Sequence, residues 1–169
     1  DFMVQMEGCN LWSPEDPFLY EAELYTKADN NLTKFGMRSF ETSSEKGVFL
    51  LNGKTYYLRG TNVCIFRFFE DPDRKELPWN DEWVVKLHSR FKDMHWNSIR
   101  YCIGFPPERW YDIADSLGLL IQDEFPVWTG GKGGFQKFLP GVTPAGLAQE
   151  YRHWRSEEHT SELQSLLII

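Results

Sequence analysis

The sequence has no long hydrophobic run, few cysteines and no excess of basic residues. None of its apolar stretches reaches the roughly 20 residues of a membrane-spanning helix, so we expect no membrane partner. The net charge of −7 is unsuited to a nucleic-acid backbone, which argues against that partner too. Cys9, Cys64 and Cys102 fit neither a disulfide framework nor a zinc site and are expected to be small buried side chains. The sequence therefore predicts no metal site and no cofactor, and it leaves the oligomeric state open.

Other familiar signals are also absent. The chain has no initiator Met and no signal peptide, and its first residues, DFMVQMEG, have the character of a strand, so we expect that further sequence precedes Asp1. A Gly-x-Ser-x-Gly motif is missing, which leaves little support for a serine α/β hydrolase. His88 and His95 lie seven residues apart on a predicted helix, and we expect both at the surface rather than as metal ligands.

Residues 1–45 have the pattern of short antiparallel strands. Leu19–Tyr25 alternates apolar and polar residues, and Lys34–Glu41 does the same around a glycine. The segment between them, ADNNLT, is rich in turn-forming residues. We interpret residues 1–45 as part of a β-sandwich.

Residues 46–154 alternate strands with helices. Asn52 and Gly53 separate two apolar runs and predict a β-hairpin. Beyond it, the alternation predicts parallel β/α units of the kind that build a barrel. The predicted elements are a strand at Tyr57–Asn62, a helix at Asp81–His95, a strand at Asn97–Cys102, a helix at Pro106–Gly118, a strand at Leu119–Glu124 and a helix at Ala145–Trp154.

Polar side chains stand at the ends of the predicted strands. Asn62, Arg100 and the pair Asp123 and Glu124 are expected to converge on one rim, where barrel enzymes hold their sites. Because neighbours in a strand point to opposite faces, one acid should lie near the site while the other pairs with Arg100 or a loop. The alternative is that both acids form only structural ion pairs. Trp128 is either a sugar-stacking platform or a core residue.

Several of these segments together resemble glycoside hydrolase family 2, the β-galactosidases, β-glucuronidases and β-mannosidases. The resemblance extends from Leu11 to Trp154 and comprises LWSPEDPFLY, FGMRSFE, FLLNGKTYYLRGTN and NSIRYCIGFPPERWYDIADSLGLLIQDEFP, in that order. It implies that residues 1–45 end an immunoglobulin-like β-sandwich and that residues 46–154 begin a (β/α)8 TIM barrel. It also implies a carbohydrate substrate, with substrate-binding roles for Asn62, Arg100, Asp123, Glu124 and Trp128.

The resemblance further implies a retaining exo-β-glycosidase. In the family, the acid/base glutamate ends the fourth barrel strand and the nucleophile ends the seventh; neither strand is in this chain. We therefore expect no catalytic residue in the chain and no activity from it alone. The alternative is a non-catalytic carbohydrate-binding or scaffold protein on the same folds. The segment Val63–Arg67 stands where galactosidases and glucuronidases carry histidines, and Trp128 takes the place of the glutamate that binds magnesium in galactosidases. The identity of the sugar and the metal dependence of the full enzyme therefore stay open. Analogy slightly favours a periplasmic or extracellular location.

The C-terminal residues depart from the family. Arg155–Ser165 reads RSEEHTSELQS, which resembles the translation of a common sequencing adapter. The alternative is that residues 155–169 simply continue the helix, since Glu, Leu and Gln are good helix formers. We expect residues 155–169 to be a non-native tail.

Overall fold

The computed structural model describes residues 5–102 and 104–124, together with residues 146, 149, 166 and 167. Within these residues, nine strands form three sheets and three α-helices pack on one of them. No helix in the described part of the chain is both long and apolar enough to cross a membrane. The elements are β1 (Tyr20–Tyr25), β2 (Asn30–Phe35), β3 (Phe40–Ser43), β4 (Val48–Leu51), β5 (Lys54–Tyr56), β6 (Gly60–Cys64), α1 (Ile65–Glu70), α2 (Asp81–Asp93), β7 (Ser98–Cys102), α3 (Arg109–Leu117), β8 (Leu120–Asp123) and β9 (Leu166–Leu167).

Strands β1 and β2 form a two-stranded antiparallel sheet. The turn between them is shorter than the sequence predicted, because Thr26 Oγ1 accepts a hydrogen bond from the Asp29 backbone N at 2.9 Å and closes the chain early. The second strand therefore starts at Asn30, inside the predicted turn. The predicted strand over 34–41 is wrong as one element, since the chain leaves the sheet after β2. Gly36 lies in this break, where an added Cβ would stand 2.8 Å from the Trp12 side chain.

Strands β3, β4 and β5 form a second antiparallel sheet. The hairpin predicted at Asn52 and Gly53 is confirmed, with Leu51 opposite Lys54. Both turn residues have positive φ, 51° and 74°, as a two-residue hairpin turn requires. Strand β3 precedes residue 45 and β4 follows it. This sheet therefore joins residues 1–45 to residues 46–154, which the sequence pattern predicts as two segments.

Strands β6, β7, β8 and β9 form a parallel sheet in chain order. Asn62 pairs in register with Arg100, and Arg100 with Gln122. The backbones approach closely at the start of β6, where a Cβ on Gly60 would lie 1.7 Å from the Ser98 carbonyl oxygen. β6 runs two residues past its predicted end at Asn62, whereas β7 ends at Cys102, as predicted.

Helices α2 and α3 cover one face of the parallel sheet. The Asn80 side chain accepts a hydrogen bond from the Trp83 backbone N at 3.0 Å and caps the start of α2. Gly118 ends α3 in the left-handed conformation with φ 78°. The core between helices and sheet is made of large apolar side chains: Val63, Val84, Phe91, Ile99, Tyr101, Trp110, Ile113, Leu119 and Ile121. The helix predicted over 145–154 lies outside the described residues, except that Gly146 and Gln149 are helical.

The N-terminal segment is anchored to the carboxyl ends of α2 and α3. Trp12 is fully buried and donates its indole N–H to the Asp115 carbonyl oxygen at 2.9 Å. Arg38 stacks on Trp12, with the guanidinium carbon 4.0 Å from the ring centroid, and pairs with the Asp115 carboxylate at 3.0 Å. Lys92 Nζ donates to the carbonyl oxygens of Pro14 and Gly118 at 2.7 and 2.8 Å. These contacts close the amino end of the parallel sheet and leave its carboxyl end for a site.

Candidate sugar-binding face

The parallel sheet presents a polar face on the side away from the helices. In β6, β7 and β8 most residues that point to the helices are buried and apolar, as in Val63, Ile99 and Ile121. Side chains alternate along a strand, so the intervening residues point to the other side. We call this side the inner face, and its members toward the carboxyl end are Asn62, Cys64, Arg100, Cys102, Gln122 and Glu124.

Glu124 extends the inner face just beyond β8. Its backbone N donates to the Tyr101 carbonyl oxygen at 3.0 Å, and its own carbonyl oxygen accepts from Gly104 N at 3.2 Å. These bonds continue the sheet for one more residue and fix the direction of the Glu124 side chain. The predicted convergence of strand ends is thereby met for Asn62, Arg100 and Glu124.

Arg100 and Glu124 form an ion pair on the inner face. Arg100 Nη2 lies 3.0 Å from Glu124 Oε2, and the two side chains are 39% and 32% exposed. One of the two acids was expected to pair with Arg100, and Glu124 is that acid. A pair this exposed contributes at most about 1 kcal/mol to stability. The Arg100 Nε–H is buried without a hydrogen-bond partner among the described residues, so the guanidinium uses only some of its N–H donors.

Asp123 does not join this group, which corrects the expectation that both acids lie on one rim. Its side chain is 8% exposed and points to the helices, where the Tyr111 hydroxyl donates to Oδ2 at 2.8 Å. The alternation of strand residues predicted opposite faces for the two acids but did not say which acid faces which way. Helix α3 decides this, because it carries Tyr111 over the sheet.

His88 is fully buried behind the sheet, so its predicted surface position is wrong. Its Nδ1–H donates to the Val84 carbonyl oxygen at 2.9 Å, which leaves Nε2 to accept from the Tyr101 hydroxyl at 2.8 Å. Burial lowers the pKa of His88 to about 4, so the ring is neutral at neutral pH. Burial raises the pKa of Tyr101 well above its usual value, and the Asp123 charge adds to this shift. Tyr101 stays protonated, and the network fixes the strand that carries Arg100.

Asn97 is a structural residue that the sequence identified only as part of a motif. It is 2% exposed, and its Oδ1 accepts from the Arg59 backbone N at 2.7 Å. Its Nδ2 donates to the Tyr57 carbonyl oxygen at 2.9 Å and to the Tyr56 hydroxyl at 3.1 Å. The amide thus ties the start of β7 to the chain that enters β6 and holds Asn62 and Arg100 in register.

Two sequence predictions are not tested by this geometry. Trp128 lies outside the described residues. Residues 155–169 do so as well, except for the backbone of Leu166 and Leu167, which pairs with β8. Across residues 5–102 and 104–124, no group of three His, Cys, Asp or Glu side chains is arranged to hold a metal ion.

Comparisons with known proteins agree with the parallel sheet and its covering helices. A sequence model described as "Glycosyl hydrolases family 2, TIM barrel domain" matches residues 43–159. A β-galactosidase of Lactococcus lactis is 33% identical over 139 residues, which are 78% of this chain and 13% of that protein.

Solved structures give the same result. The apo structure of β-glucuronidase 3 of Bacteroides uniformis aligns with TM-score 0.68 and 31% identity over 94% of this chain and 19% of that chain. A β-glucuronidase of Bifidobacterium dentium, complexed with coumarin-3-O-glucuronide, aligns with TM-score 0.56 and 31% identity over 69% of this chain and 19% of that one. The chain thus spans less than a fifth of these relatives. It belongs to glycoside hydrolase family 2, and its parallel sheet is part of a TIM barrel domain.

Proposed function

We propose that the chain is part of a retaining exo-β-glycosidase that hydrolyses terminal β-linked sugars. Membership of glycoside hydrolase family 2 supports this, and so do the similar proteins, which are named as β-galactosidase and β-glucuronidases. The proposal covers both β-galactosides and β-glucuronides, because the residues described here do not distinguish them. The carbohydrate is the only partner proposed.

The observation that carries the proposal is the polar inner face at the carboxyl end of a parallel sheet. Asn62 is exposed and has no side-chain hydrogen bond to another described residue, so its amide is available to a sugar hydroxyl. Arg100 and Glu124 add donors and an acceptor in the next two strands. Amide, guanidinium and carboxylate groups together suit the many hydroxyl groups of a saccharide.

These residues bind and orient the sugar rather than cleave it. Retaining hydrolysis needs two carboxyl groups about 5–5.5 Å apart, one as acid/base and one as nucleophile. Among the described residues of the inner face, Glu124 is the only carboxylate, and it is paired with Arg100. We therefore propose that the catalytic glutamates lie outside the described residues, and we expect no turnover from the chain by itself.

The remaining predicted binding residues are assigned differently. Asp123 is a positioning residue in this proposal, because its carboxylate contacts Tyr111 on the helix side. It fixes the backbone from which the neighbouring Glu124 extends. Trp128 stays a proposed stacking platform for the sugar ring.

We also propose the domain organisation that the family resemblance implies. Residues 1–45 are the end of an immunoglobulin-like sandwich, residues 46–154 begin the barrel, and residues 155–169 are an adapter-derived tail. The antiparallel pairing of β1 with β2 supports the first assignment. Sequencing the gene past the Trp154 codon tests the assignment of residues 155–169 as an adapter-derived tail. Codons for a sequence other than RSEEHTSELQS would support this assignment, and genomic codons for the same eleven residues would contradict it.

Kinetics of the full-length gene product test the function. We expect hydrolysis of an aryl β-galactoside or β-glucuronide with retention of anomeric configuration. Arg100→Ala should lower kcat/KM about 100-fold or more, and Asn62→Ala about 10-fold, because each removes a positioning group. Arg90→Ala is the matched control, since its side chain is 70% exposed on α2, and it should retain activity. Full activity in Arg100→Ala, or no activity of the intact protein on any β-glycoside, would refute the proposal.

A further inference from the structure

Two cysteines lie side by side on the inner face. Cys64 is the last residue of β6, Cys102 is the last residue of β7, and the two are partners in the parallel register. Neighbouring strands are about 4.8 Å apart, which lies within the Cα separations of 4.4–6.8 Å that disulfides span. Both residues are free thiols in this structure.

The environment of the pair differs from that of inert core cysteines. Both side chains are half-buried, so the expectation of small buried thiols is wrong for them. Partial burial, a hydrogen bond to the Glu124 carboxylate and contact with the Cys64 thiol raise the pKa of Cys102 to about 11. The strand register therefore places the two thiols next to each other near the Glu124 carboxylate, and both residues are partly exposed to small molecules.

We propose that Cys64 and Cys102 form a dithiol site that reacts with small-molecule disulfides and closes into a cross-strand disulfide. This site lies on the same inner face, beside Glu124, but the proposed sugar hydrolysis uses neither thiol. Its chemical partner is an oxidant of the disulfide class, such as oxidised glutathione or hydroxyethyl disulfide.

The reaction balances as two thiol–disulfide exchanges. A thiolate of the pair attacks the external disulfide, forms a mixed disulfide and releases one external thiolate. The second thiol of the pair then loses its proton, and its thiolate attacks the protein sulfur of the mixed disulfide. This step forms the Cys64–Cys102 bond and releases the other half of the oxidant as a thiolate. The two protein thiols lose two electrons and two protons, and the external disulfide gains the electrons as two thiols.

The pairing has a structural consequence for the inner face. Disulfide formation removes the Cys102 thiol that neighbours the Glu124 carboxylate. Glu124 then keeps Arg100 as its contact among the described residues. The exchange should become faster as pH rises, because little of the Cys102 thiol is ionised at neutral pH.

Oxidation of the 169-residue chain in native buffer, at mildly alkaline pH, tests the site. After treatment with hydroxyethyl disulfide, we expect the mass to fall by about 2 Da and the free thiols to fall from three to one. Non-reducing peptide mapping should join the peptide of Cys64 to that of Cys102. Cys9→Ser is the matched control and should keep this cross-link, whereas Cys64→Ser and Cys102→Ser should each abolish it.

Mapping in urea separates the folded site from chance pairing. In the unfolded chain the cost of closing a loop grows only slowly with its length, so pairings that include Cys9 should appear there and be absent in native buffer. Stable mixed disulfides on Cys64 or Cys102 without the cross-link would overturn the proposal. A cross-link to Cys9 in native buffer, or the same mixture of pairings with and without urea, would overturn it equally.

Discussion

Replacing Asn97 by alanine should destabilise the chain far more than the same change at Asn62. Asn62 lies in β6 and Asn97 directly precedes the adjacent strand β7, but only Asn97 is buried, with 2% exposure. Its amide makes three hydrogen bonds, to the Arg59 backbone N, the Tyr57 carbonyl oxygen and the Tyr56 hydroxyl. The alanine removes all three and leaves two backbone groups without their partner.

The contacts of Asn97 set the magnitude of this loss. Each intramolecular hydrogen bond contributes about 1 kcal/mol net, and a buried group that loses its partner costs about 1–3 kcal/mol. We therefore expect Asn97→Ala to lower the free energy of unfolding by about 3 kcal/mol. Asn97→Asp keeps the acceptor for Arg59 N but turns an oxygen toward the Tyr57 carbonyl, so it should be no more stable than the alanine variant. Asn62→Ala should change stability by less than about 0.5 kcal/mol, as is usual at exposed sites.

Urea unfolding followed by tryptophan fluorescence measures these differences. With an m-value of about 2 kcal/mol per molar, the Asn97→Ala midpoint should fall by about 1.5 M while that of Asn62→Ala stays nearly unchanged. Equal midpoints for the two variants would refute the assignment of Asn97 as the residue that ties β7 to β6. A larger loss for Asn62→Ala would also contradict its assignment to the sugar.

Three further predictions concern charge, packing and pH. The pKa of His88 is about 4 in the folded chain and 6.5 in the unfolded chain, so the unfolded chain binds the extra proton first as pH falls. The free energy of unfolding should therefore drop by about 3 kcal/mol from pH 7 to pH 4. The same dependence of the unfolding free energy on pH in His88→Gln would contradict this. Asp115→Asn should lower the free energy of unfolding in urea by about 3 kcal/mol, because its ion-pair partner Arg38 is buried. Asp93→Asn, in an exposed pair with Arg90 at 3.8 Å, should lower it by less than about 0.5 kcal/mol. Equal losses in the two variants would contradict the reasoning. Gly60→Ala should abolish the folded circular-dichroism signal, because the added Cβ would lie 1.7 Å from a backbone oxygen of the neighbouring strand. Gly47→Ala, at φ 62° in open space, should cost about 1 kcal/mol and stay folded. A folded Gly60→Ala chain would contradict the close packing of β6 against β7.

The features predicted correctly from sequence are those with local causes. The Asn52–Gly53 turn forms because both residues tolerate positive φ, and α2 starts at Asp81 because the Asn80 side chain caps it. The errors occur where local signals compete with packing. The asparagines at 30 and 31 favour a turn, yet they lie in β2, because the hydrogen bonds of Thr26 close the turn before them.

In the candidate site, too, local patterns predicted some features, while packing between distant segments decided the others. Strand alternation predicted that Asp123 and Glu124 point to opposite faces, but the position of Tyr111 on α3 decides that Asp123 faces the helices. His88 on α2 can be buried because Tyr101 on β7 supplies its second hydrogen-bond partner. The pairing of Cys64 with Cys102 depends on the register between strands, and no local pattern encodes that register.

The central claim is that the inner face of the parallel sheet contacts the sugar. The competing location among the described residues is a cleft of about 540 Å³ between β2 and α3, lined by Lys34, Arg109 and Asp112 among others. A crystal structure of the full-length protein with a bound monosaccharide product decides between them. The account predicts sugar hydroxyl groups within hydrogen-bond distance of Asn62 and of Arg100 or Glu124. A sugar seated in the cleft between β2 and α3, with the inner face empty, would contradict it.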